Sequence, residues 1–420
     1  MAAAIALGGL EDNGPTSSET HFRLFNSSAV FQTRGSIPIA AALNATAAHS
    51  FIDQSAQLAP LFDALDRVSE VAIDTEADNL FRYRTRICLL QVMAGRSIFL
   101  VDLIAPMALD GLWSRLAAKH LVMHGSDFDL RLLHEFCGFR ASSLFDTMMA
   151  AQLLNRPRVG LAPLLEQHFG VILAKEGQKA NWSRRPLPDK LLDYAALDVF
   201  HLPALRDILQ AELESRGRLA WQEQRCRWQI EAALLGFPQS DEHAWRIGRC
   251  ERLGPRAQCV LWAVWHWREE VARELDQPPF KITSNELLFE ISARADAGLP
   301  EEAILAVNLG KRHGRLIHRL AEAVRAGLAK NPASLPRRRR GRDPNFVPLS
   351  AAELALQDRL KSDRDRLARE LNLDPTLIAN RSQLAQIARA PDKLDAILMP
   401  WQAELLRNQP ALKNGGEEQE

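Results

Sequence analysis

The sequence is poor in the residues that mark several specialised classes of protein. Its 420 residues include only five cysteines, and these are spread along the chain as Cys88, Cys137, Cys226, Cys250 and Cys259. They form no Cys-x-x-Cys pair and no zinc-like spacing, which excludes a disulfide framework and a cysteine-based zinc site. This usage is typical of buried thiols in a reducing compartment.

A surplus of one charge and a long apolar run are also lacking. Lys plus Arg (52) equals Asp plus Glu (52), so the net charge indicates no particular partner. The longest uncharged stretch, residues 35–52, is too polar to span a bilayer. The apolar start of the chain lacks the positive residues of a signal peptide. We therefore predict a cytoplasmic protein that does not interact with membranes, and we expect a monomer.

The composition that remains is that of an ordinary globular protein, 47% hydrophobic and 25% charged, with a length that suits two to four domains. Residues 1–50 are rich in Ala, Ser, Thr and Asn and follow no sustained period. We predict that they form a loosely ordered N-terminal extension.

The pattern sharpens after residue 50. Three short apolar runs, "EVAIDTE", "ICLLQVM" and "SIFLVDL", are joined by polar turns and predict a β-meander. Next, "WSRLAAK" predicts a helix, "HLVMHG" a buried strand, and "DFDLRLLHEFCG" a helix that ends at Gly138. From Asp146 to about Arg218 the period is helical. A meander followed by alternating strands and helices predicts an α/β domain with a mixed sheet over residues 51–220.

The first of these strands carries two acids. Asp74 and Glu76 are two positions apart, so their side chains point to the same face of the strand, about 7 Å apart at the backbone. Burial penalises both charges, and each repels the other. A single Asp-x-Glu in a strand is weak evidence by itself, because acids at strand ends are common.

Three further residues belong with this pair. Asp129 falls in the first turn of a helix that follows a strand, at the sheet end where ligands tend to bind. Tyr194 and Asp198 are four residues apart on one helix face, and Tyr194 is one of only two tyrosines in the chain. Taken singly, Asp129 could be a helix N-terminal charge, while Tyr194 and Asp198 could be a packed ring and a solvated acid.

Together, these residues point to a metal site. Four carboxylates at one end of a sheet would be strongly unfavourable without cations between them, and oxygen ligands suit Mg²⁺ or Mn²⁺. Two such ions about 4 Å apart can stabilise the attacking and the leaving oxygen of a phosphodiester displacement. A tyrosine hydroxyl beside the last acid can orient or help to deprotonate the attacking water.

At these residues the chain resembles the DEDD 3′→5′ exonucleases that have a tyrosine in the third motif, and among them the ribonuclease D family. The three motifs are "AIDTEADNLFRYRTRICLLQ", "HGSDFDLRLL" and "DYAALDV". The third is preceded by "NWSRRPL", similar to the family's lead into that motif. The chain departs from the family at Ala77, where many members have Phe, and at Asn181, where they have Asp.

The resemblance implies a ribonuclease H-like fold and two divalent ions. It assigns metal binding to Asp74, Glu76, Asp129 and Asp198, and the orientation of water to Tyr194. It further implies hydrolysis from a single-stranded 3′ end, release of nucleoside 5′-monophosphates, and trimming of tRNA precursors and other small structured RNAs.

The C-terminal half supports the same family. The segment that contains "PPFKI" resembles the start of an HRDC domain, the helical module shared by RecQ-type helicases and ribonuclease D. A second, more divergent copy ends in "LMPWQAELL". We predict these modules at residues 243–330 and 349–412. Three tryptophans in the first, Trp262, Trp265 and Trp267, could stack on bases, but their helical spacing favours a place in the core.

Two basic segments are candidates for contact with phosphates. The linker 331–348 is rich in proline, and five of its residues between 337 and 342 are Arg; the alternative is a solvated spacer. Lys175, Lys179, Arg184 and Arg185 lie just before the helix of Tyr194.

Two other functions remain open at this point. The same chemistry could act on single-stranded DNA. The chain could also be a non-catalytic RNA-binding scaffold, although such a scaffold typically loses one or more of the four acids that are present here.

Overall fold

A computed structural model of the protein describes residues 48–173, 177–237, 241–336 and 348–413. Nearly all of the predicted N-terminal extension and the arginine-rich part of the predicted linker lie outside these residues. Within the described ranges, no helix has both the length and the apolar character needed to cross a bilayer.

The first part of the chain builds a six-stranded mixed sheet. Its strands are β1 (His49–Ile52), β2 (Glu70–Ala77), β3 (Ile87–Ala94), β4 (Ser97–Asp102), β5 (His120–Met123) and β6 (Ser143–Asp146). Their order is β1-β4-β3-β2-β5-β6. Strands β2, β3 and β4 pair antiparallel, whereas β1 pairs with β4, β5 with β2, and β6 with β5 in parallel. The predicted meander, the strand after it and the mixed sheet are confirmed, while β1 and β6 were not predicted.

Eight helices in the described residues accompany the sheet. They are α1 (Ala59–Asp66), α2 (Asp110–Ala117), α3 (Asp127–Cys137), α4 (Thr147–Leu153), α5 (Leu161–Phe169), α6 (Asp189–Phe200), α7 (Leu202–Ser215) and α8 (Leu219–Ala233). Helix α3 ends as its sequence predicts, because Gly138 adopts the left-handed conformation (φ 67°) that closes a helix at low cost.

Different helices cover the two faces of the sheet. Val71 and Ile73 of β2 point into a core shared with α1, α2 and α3. Ala72, between them, points to the other face, into a core shared with α6. Because side chains alternate along a strand, Asp74 and Glu76 continue the face of Ala72. The two acids therefore lie on the side of the sheet that α6 covers.

The rest of the described chain is helical and forms two clusters. The first contains α9 (Pro255–Glu274), α10 (Pro279–Ile282), α11 (Asn285–Asp296), α12 (Glu301–Ile304), α13 (Gly310–His313) and α14 (Ile317–Ala329). The second contains α15 (Ala351–Leu371), α16 (Pro375–Ile378), α17 (Arg381–Arg389), α18 (Leu394–Ile397), α19 (Pro400–Arg407) and α20 (Pro410–Lys413). Each has its own apolar core. The predicted modules at 243–330 and 349–412 overlap these clusters.

The tryptophans of α9 pack as their spacing predicts. Trp267 is buried, and Trp262 and Trp265 pack partly buried against the core of the first cluster. The core interpretation is confirmed for all three.

Both helical clusters contact the sheet domain. The ring of Trp401 in α19 stacks on Trp221 in α8, with 4.6 Å between ring centroids. Asp276, at the end of α9, accepts hydrogen bonds from Arg82 Nη1 at 2.7 Å and from the backbone N–H of Tyr83 at 3.2 Å. Residues 82 and 83 belong to the loop that follows β2.

Candidate active site

The site is built around β2. Its two acids, Asp74 and Glu76, line a cavity of about 500 Å³ together with Tyr194 and Asp198 of α6. The other lining residues are Thr75, His124, Gly160, Leu161, Ala162, Pro163, Leu173, Gln178 and Leu202. The structure thus brings four of the five predicted site residues around one cavity.

Asp129 approaches from the opposite side of the sheet. It is buried in the first turn of α3, and its Oδ1 accepts a hydrogen bond from the hydroxyl of Thr75. Thr75 stands between the two acids of β2 and points to the other face. Asp129 does not line the cavity, but its charge contributes to raising the pKa of Asp74.

A buried carboxylate fixes the turn that leads to Asp129. Asp146 accepts hydrogen bonds from the backbone N–H groups of Gly125 at 3.0 Å and Ser126 at 2.7 Å, and from the Ser126 hydroxyl at 2.8 Å. It also caps α4 by accepting from the N–H groups of Met148 and Met149. Asp146 was not predicted as part of the site, although an acid directly before a helical period was its signal in the sequence.

Helix α6 is anchored by an ion pair. The guanidinium of Arg185 contacts both carboxylate oxygens of Asp102, at 2.6 Å and 2.5 Å, and donates to the carbonyls of Trp182 and Cys88. Asp102 is buried. Arg185, predicted as a phosphate contact, is therefore occupied by the protein itself, and Lys175 lies outside the described residues.

Asn181, where the family has Asp, still accepts hydrogen bonds. Its Oδ1 receives the N–H and the hydroxyl of Ser183, at 3.2 Å and 2.7 Å. The amide oxygen thus organises the turn without a charge. Ala77, the other departure, follows an irregularity in the pairing of β2 with β3 and packs against the core on the α3 side.

Tyr194 is held on two sides. Its hydroxyl donates a hydrogen bond to Asp198, one helical turn away, and its ring lies against Gly177. A Cβ atom built on Gly177 would come within 2.5 Å of Cγ and Cε1 of the ring. Only glycine at position 177 leaves room for the ring as it stands.

Burial raises the pKa values of all four acids, and repulsion by the other site acids adds to this at Asp74 and Glu76. Burial and the charge of Asp198 raise the pKa of Glu76 to about 9. Burial raises the pKa of Asp198 to about 7 and that of Asp129 to about 6, against the opposing effect of their hydrogen bonds from Tyr194 and Thr75. The pKa of Asp74 lies well above its ordinary value because of burial and of the charges of the other three acids.

The donor set fits hard divalent cations. All four predicted ligands are carboxylates, which suit Mg²⁺ or Mn²⁺, and a cation among them would offset the charge repulsion and the cost of burial. Among the residues described, no three His, Cys, Asp or Glu side chains are grouped closely enough to hold an ion as they stand.

Comparisons with known proteins identify the domains that carry this site. A family model described as 3′-5′ exonuclease matches residues 49–214, and the HRDC domain model matches residues 258–299. The curated ribonuclease D of Gluconacetobacter diazotrophicus is 29% identical over 87% of this chain and 92% of its own length. That of Zymomonas mobilis is 27% identical over 85% and 92%.

Solved structures show the same fold. The crystal structure of Escherichia coli RNase D, described as an exoribonuclease involved in structured RNA processing, has a TM-score of 0.62 at 23% identity and covers 89% of this chain and 99% of its own. A protein from Bifidobacterium adolescentis has a TM-score of 0.70 at 22% identity and covers 87% and 100%.

The chain is thus a 3′-5′ exonuclease domain followed by a helical HRDC region. The curated homologues that match along most of their own length are named ribonuclease D. Enzymes of this exonuclease type depend on divalent metal ions.

The raised pKa values predict a pH-dependent stability. Without metal, the raised pKa values make the folded protein bind more protons than the unfolded chain does. This difference extends from about pH 4, the ordinary pKa of a carboxyl group, to about pH 9, the pKa of Glu76. Stability therefore falls as the pH rises through this window. In EDTA we expect the thermal midpoint to drop less steeply from about pH 5 to about pH 8 in Asp74→Asn than in the parent.

Asp207→Asn is the matched control, because Asp207 is 70% exposed in its ion pair; it should keep the slope of the parent. Added Mg²⁺ should raise the midpoint of the parent more at the higher pH. Parallel slopes for the parent and Asp74→Asn would contradict the account of charge repulsion.

A second expectation concerns Gly177. In Gly177→Ala the new methyl group must displace the ring of Tyr194, and small displacements of a reacting group are costly, so we expect turnover to fall by about 10-fold or more. Gly160→Ala is the control, because Gly160 lines the same cavity and its Cβ would meet Pro163 at an ordinary 3.6 Å. Equal turnover in the two variants would show that the ring tolerates the methyl group. Steady-state hydrolysis of a labelled oligonucleotide measures both.

Proposed function

We propose that the protein is a metal-dependent 3′→5′ exoribonuclease. It removes the last nucleotide of a single-stranded 3′ end by adding water across the phosphodiester, and it releases a nucleoside 5′-monophosphate. The observation that carries this proposal is the lining of one cavity by Asp74, Glu76, Asp198 and Tyr194, inside a domain that matches the 3′-5′ exonuclease model.

Asp74, Glu76, Asp129 and Asp198 are the residues that would hold two divalent ions, Mg²⁺ or Mn²⁺. When bound, the ions supply Lewis-acid stabilisation of the attacking and leaving oxygens. Asp74 would contribute to holding both ions, because the charges of Asp129 and Asp198 both act on it.

Tyr194 orients the attacking water. Burial and the neighbouring charge of Asp198 raise the pKa of its hydroxyl, so the hydroxyl keeps its proton at neutral pH. It donates that proton in a hydrogen bond to Asp198, and its oxygen accepts a hydrogen bond from the attacking water. The hydrogen bond to Asp198 and the contact with Gly177 fix its direction. A hydroxyl that is already oriented before the reaction begins lowers the barrier, because no further ordering is needed during the reaction.

RNA is the substrate that the relatives support. The curated relatives are ribonuclease D proteins, and the E. coli structure is of an exoribonuclease that acts in structured RNA processing. Precursors of tRNA and other small structured RNAs with free 3′ ends are the expected targets. The five free cysteines suit the reducing cytoplasm, and one chain supplies all five site residues, so a monomer suffices.

Single-stranded DNA is the second candidate, since the same chemistry cleaves both polymers and the 2′-hydroxyl is what separates them. A non-catalytic scaffold is disfavoured, because all four acids and the tyrosine are present and four of the five line the cavity.

The direct test uses matched RNA and DNA oligonucleotides with the same labelled 3′ ends, with Mg²⁺ or Mn²⁺. We expect stepwise release of nucleoside 5′-monophosphates and faster hydrolysis of RNA. Asp74→Asn should abolish release while the protein remains folded, since the change relieves charge repulsion, and Asp207→Asn should keep the parent rate. Faster hydrolysis of DNA would favour the second candidate, and an active Asp74→Asn would rule out the metal site.

Tyr194→Phe separates mechanism from packing. The ring and its contacts stay, but the hydroxyl is lost, so we expect turnover to fall by roughly 10² or more with substrate affinity preserved. Asp198→Asn should in addition raise the Mg²⁺ concentration needed for activity. Metal titrations of single-turnover rates measure both effects. A parent-like rate in Tyr194→Phe would assign the tyrosine to packing alone.

The arginine run 337–342 predicts a separate effect on long substrates. Changing its five Arg residues to Ser should weaken binding of a structured tRNA precursor and flatten its salt dependence, while hydrolysis of a short oligonucleotide stays unchanged. Substitution is a cleaner test than removal of residues 243–420, because removal would expose the stacked face of Trp221. Equal losses on both substrates would contradict a role in binding long RNA.

A further inference from the structure

Gln91 of β3 is a buried polar residue without a visible reason to be polar. Its side chain is 0% exposed. Among the described residues, neither its amide nitrogen nor its amide oxygen has a hydrogen-bond partner. Burying an unpaired amide is unfavourable, so such a group needs an explanation in terms of a water, an ion or a functional role.

The register of the sheet places Gln91 directly opposite Asp74. Strands β2 and β3 are antiparallel, and Asp74 pairs with Gln91. Residues directly opposite one another point to the same face, with Cβ atoms about 5 Å apart. An amide at the end of a glutamine side chain spans that separation, so the amide N–H groups of Gln91 can reach the carboxylate of Asp74.

The other neighbours on that face offer nothing to bond. Along β3, Gln91 lies between Leu89 and Met93, and across the sheet on its other side it faces Leu100 of β4. Of the four residues adjacent to Gln91 on this face, only Asp74 carries a side-chain oxygen or nitrogen. The sheet therefore directs the amide toward one polar group.

Within the part of the chain that the structure describes, no other side chain donates a hydrogen bond to Asp74. The hydrogen bond that favours its charged form comes from the backbone at Thr75, while the other three acids oppose that form. Carboxylates that bind metals are usually oriented by a hydrogen bond to the oxygen that does not hold the ion. That place beside Asp74 is the one that Gln91 can fill.

We propose that Gln91 is a positioning residue for the metal site: its amide N–H donates to Asp74 when that carboxylate is ionised and holds a cation. The inference rests on the proposed function, because it concerns the ligand that bridges the two sides of that site. In the structure the amide is unpaired, and it would gain Asp74 as its partner when a cation is bound. The unpaired amide of Gln91 thus lowers the stability of the metal-free protein, whereas its hydrogen bond to Asp74 stabilises the metal-bound protein.

The test compares Gln91→Met with the parent in the full-length protein. Methionine fills a similar volume without hydrogen-bonding groups. In EDTA the thermal midpoint should be unchanged or higher, because an unpaired buried amide has been removed. Calorimetric titration with Mg²⁺ alone should show affinity weakened by about 10-fold or more, the usual effect of losing such a partner. At limiting Mg²⁺ the weaker affinity should also lower turnover, and excess Mg²⁺ should restore much of that loss.

Two controls isolate the contact. Met93→Leu changes the next residue on the same face, which lies opposite Ala72, and should leave Mg²⁺ affinity unchanged. In an Asp74→Asn background, Gln91→Met should have no further effect on Mg²⁺ affinity, because the partner has lost its charge.

Other outcomes overturn the proposal. Parent-like Mg²⁺ affinity in Gln91→Met would mean that the amide is held by a buried water or is not used. A lower midpoint with unchanged affinity, or failure of both Gln91→Met and Gln91→Leu to fold, would make Gln91 a structural residue. These results leave the proposed function intact, whereas an absence of Mg²⁺ binding in the parent would overturn both.

Discussion

Uncompensated negative charge around Asp74 is the constraint on which the site depends. The sheet brings Asp74 and Glu76 to one face, α6 brings Asp198 onto that face, and α3 brings Asp129 from the other. Each approach raises the free energy of the ionised protein, and the cores on both faces of the sheet must outweigh that cost. A protein selected for stability alone would place apolar residues here, so the arrangement indicates a site selected for function.

Buried acids in this domain fall into two kinds. Asp146 and Asp102 are satisfied, the first by three donors in the turn between β5 and α3 and two in α4, the second by the guanidinium of Arg185. Both hold backbone segments that carry other residues to the site. The acids of the cavity have few donors and several repelling neighbours. Structural and functional carboxylates in one small domain are thus distinguished by their partners and not by their burial.

Much of the fold and of the site could be predicted from the sequence, because both depend largely on short-range patterns. The alternation in β2, the helix that starts near Asp129 and the four-residue spacing of Tyr194 and Asp198 are short-range patterns, and the structure brings their residues together. Strands β1 and β6 were missed because four-residue strands carry too few side chains for a period to show. The bond between Arg185 and Asp102 spans 83 residues, and the register that sets Gln91 opposite Asp74 depends on strand pairing. Neither is visible in a local pattern.

The contacts of Asp276 determine whether the exonuclease domain can be separated from the helical clusters without loss. Asp276 adopts a left-handed backbone (φ 47°), a conformation that costs free energy in a residue other than glycine. In that conformation its carboxylate receives Arg82 and the N–H of Tyr83 from the loop after β2. The sequence looks like separate modules joined in a row, but the loop next to the carboxylates is supported by a residue almost two hundred positions away. An exonuclease domain excised at its sequence boundary would lose that support for the loop beside its carboxylates.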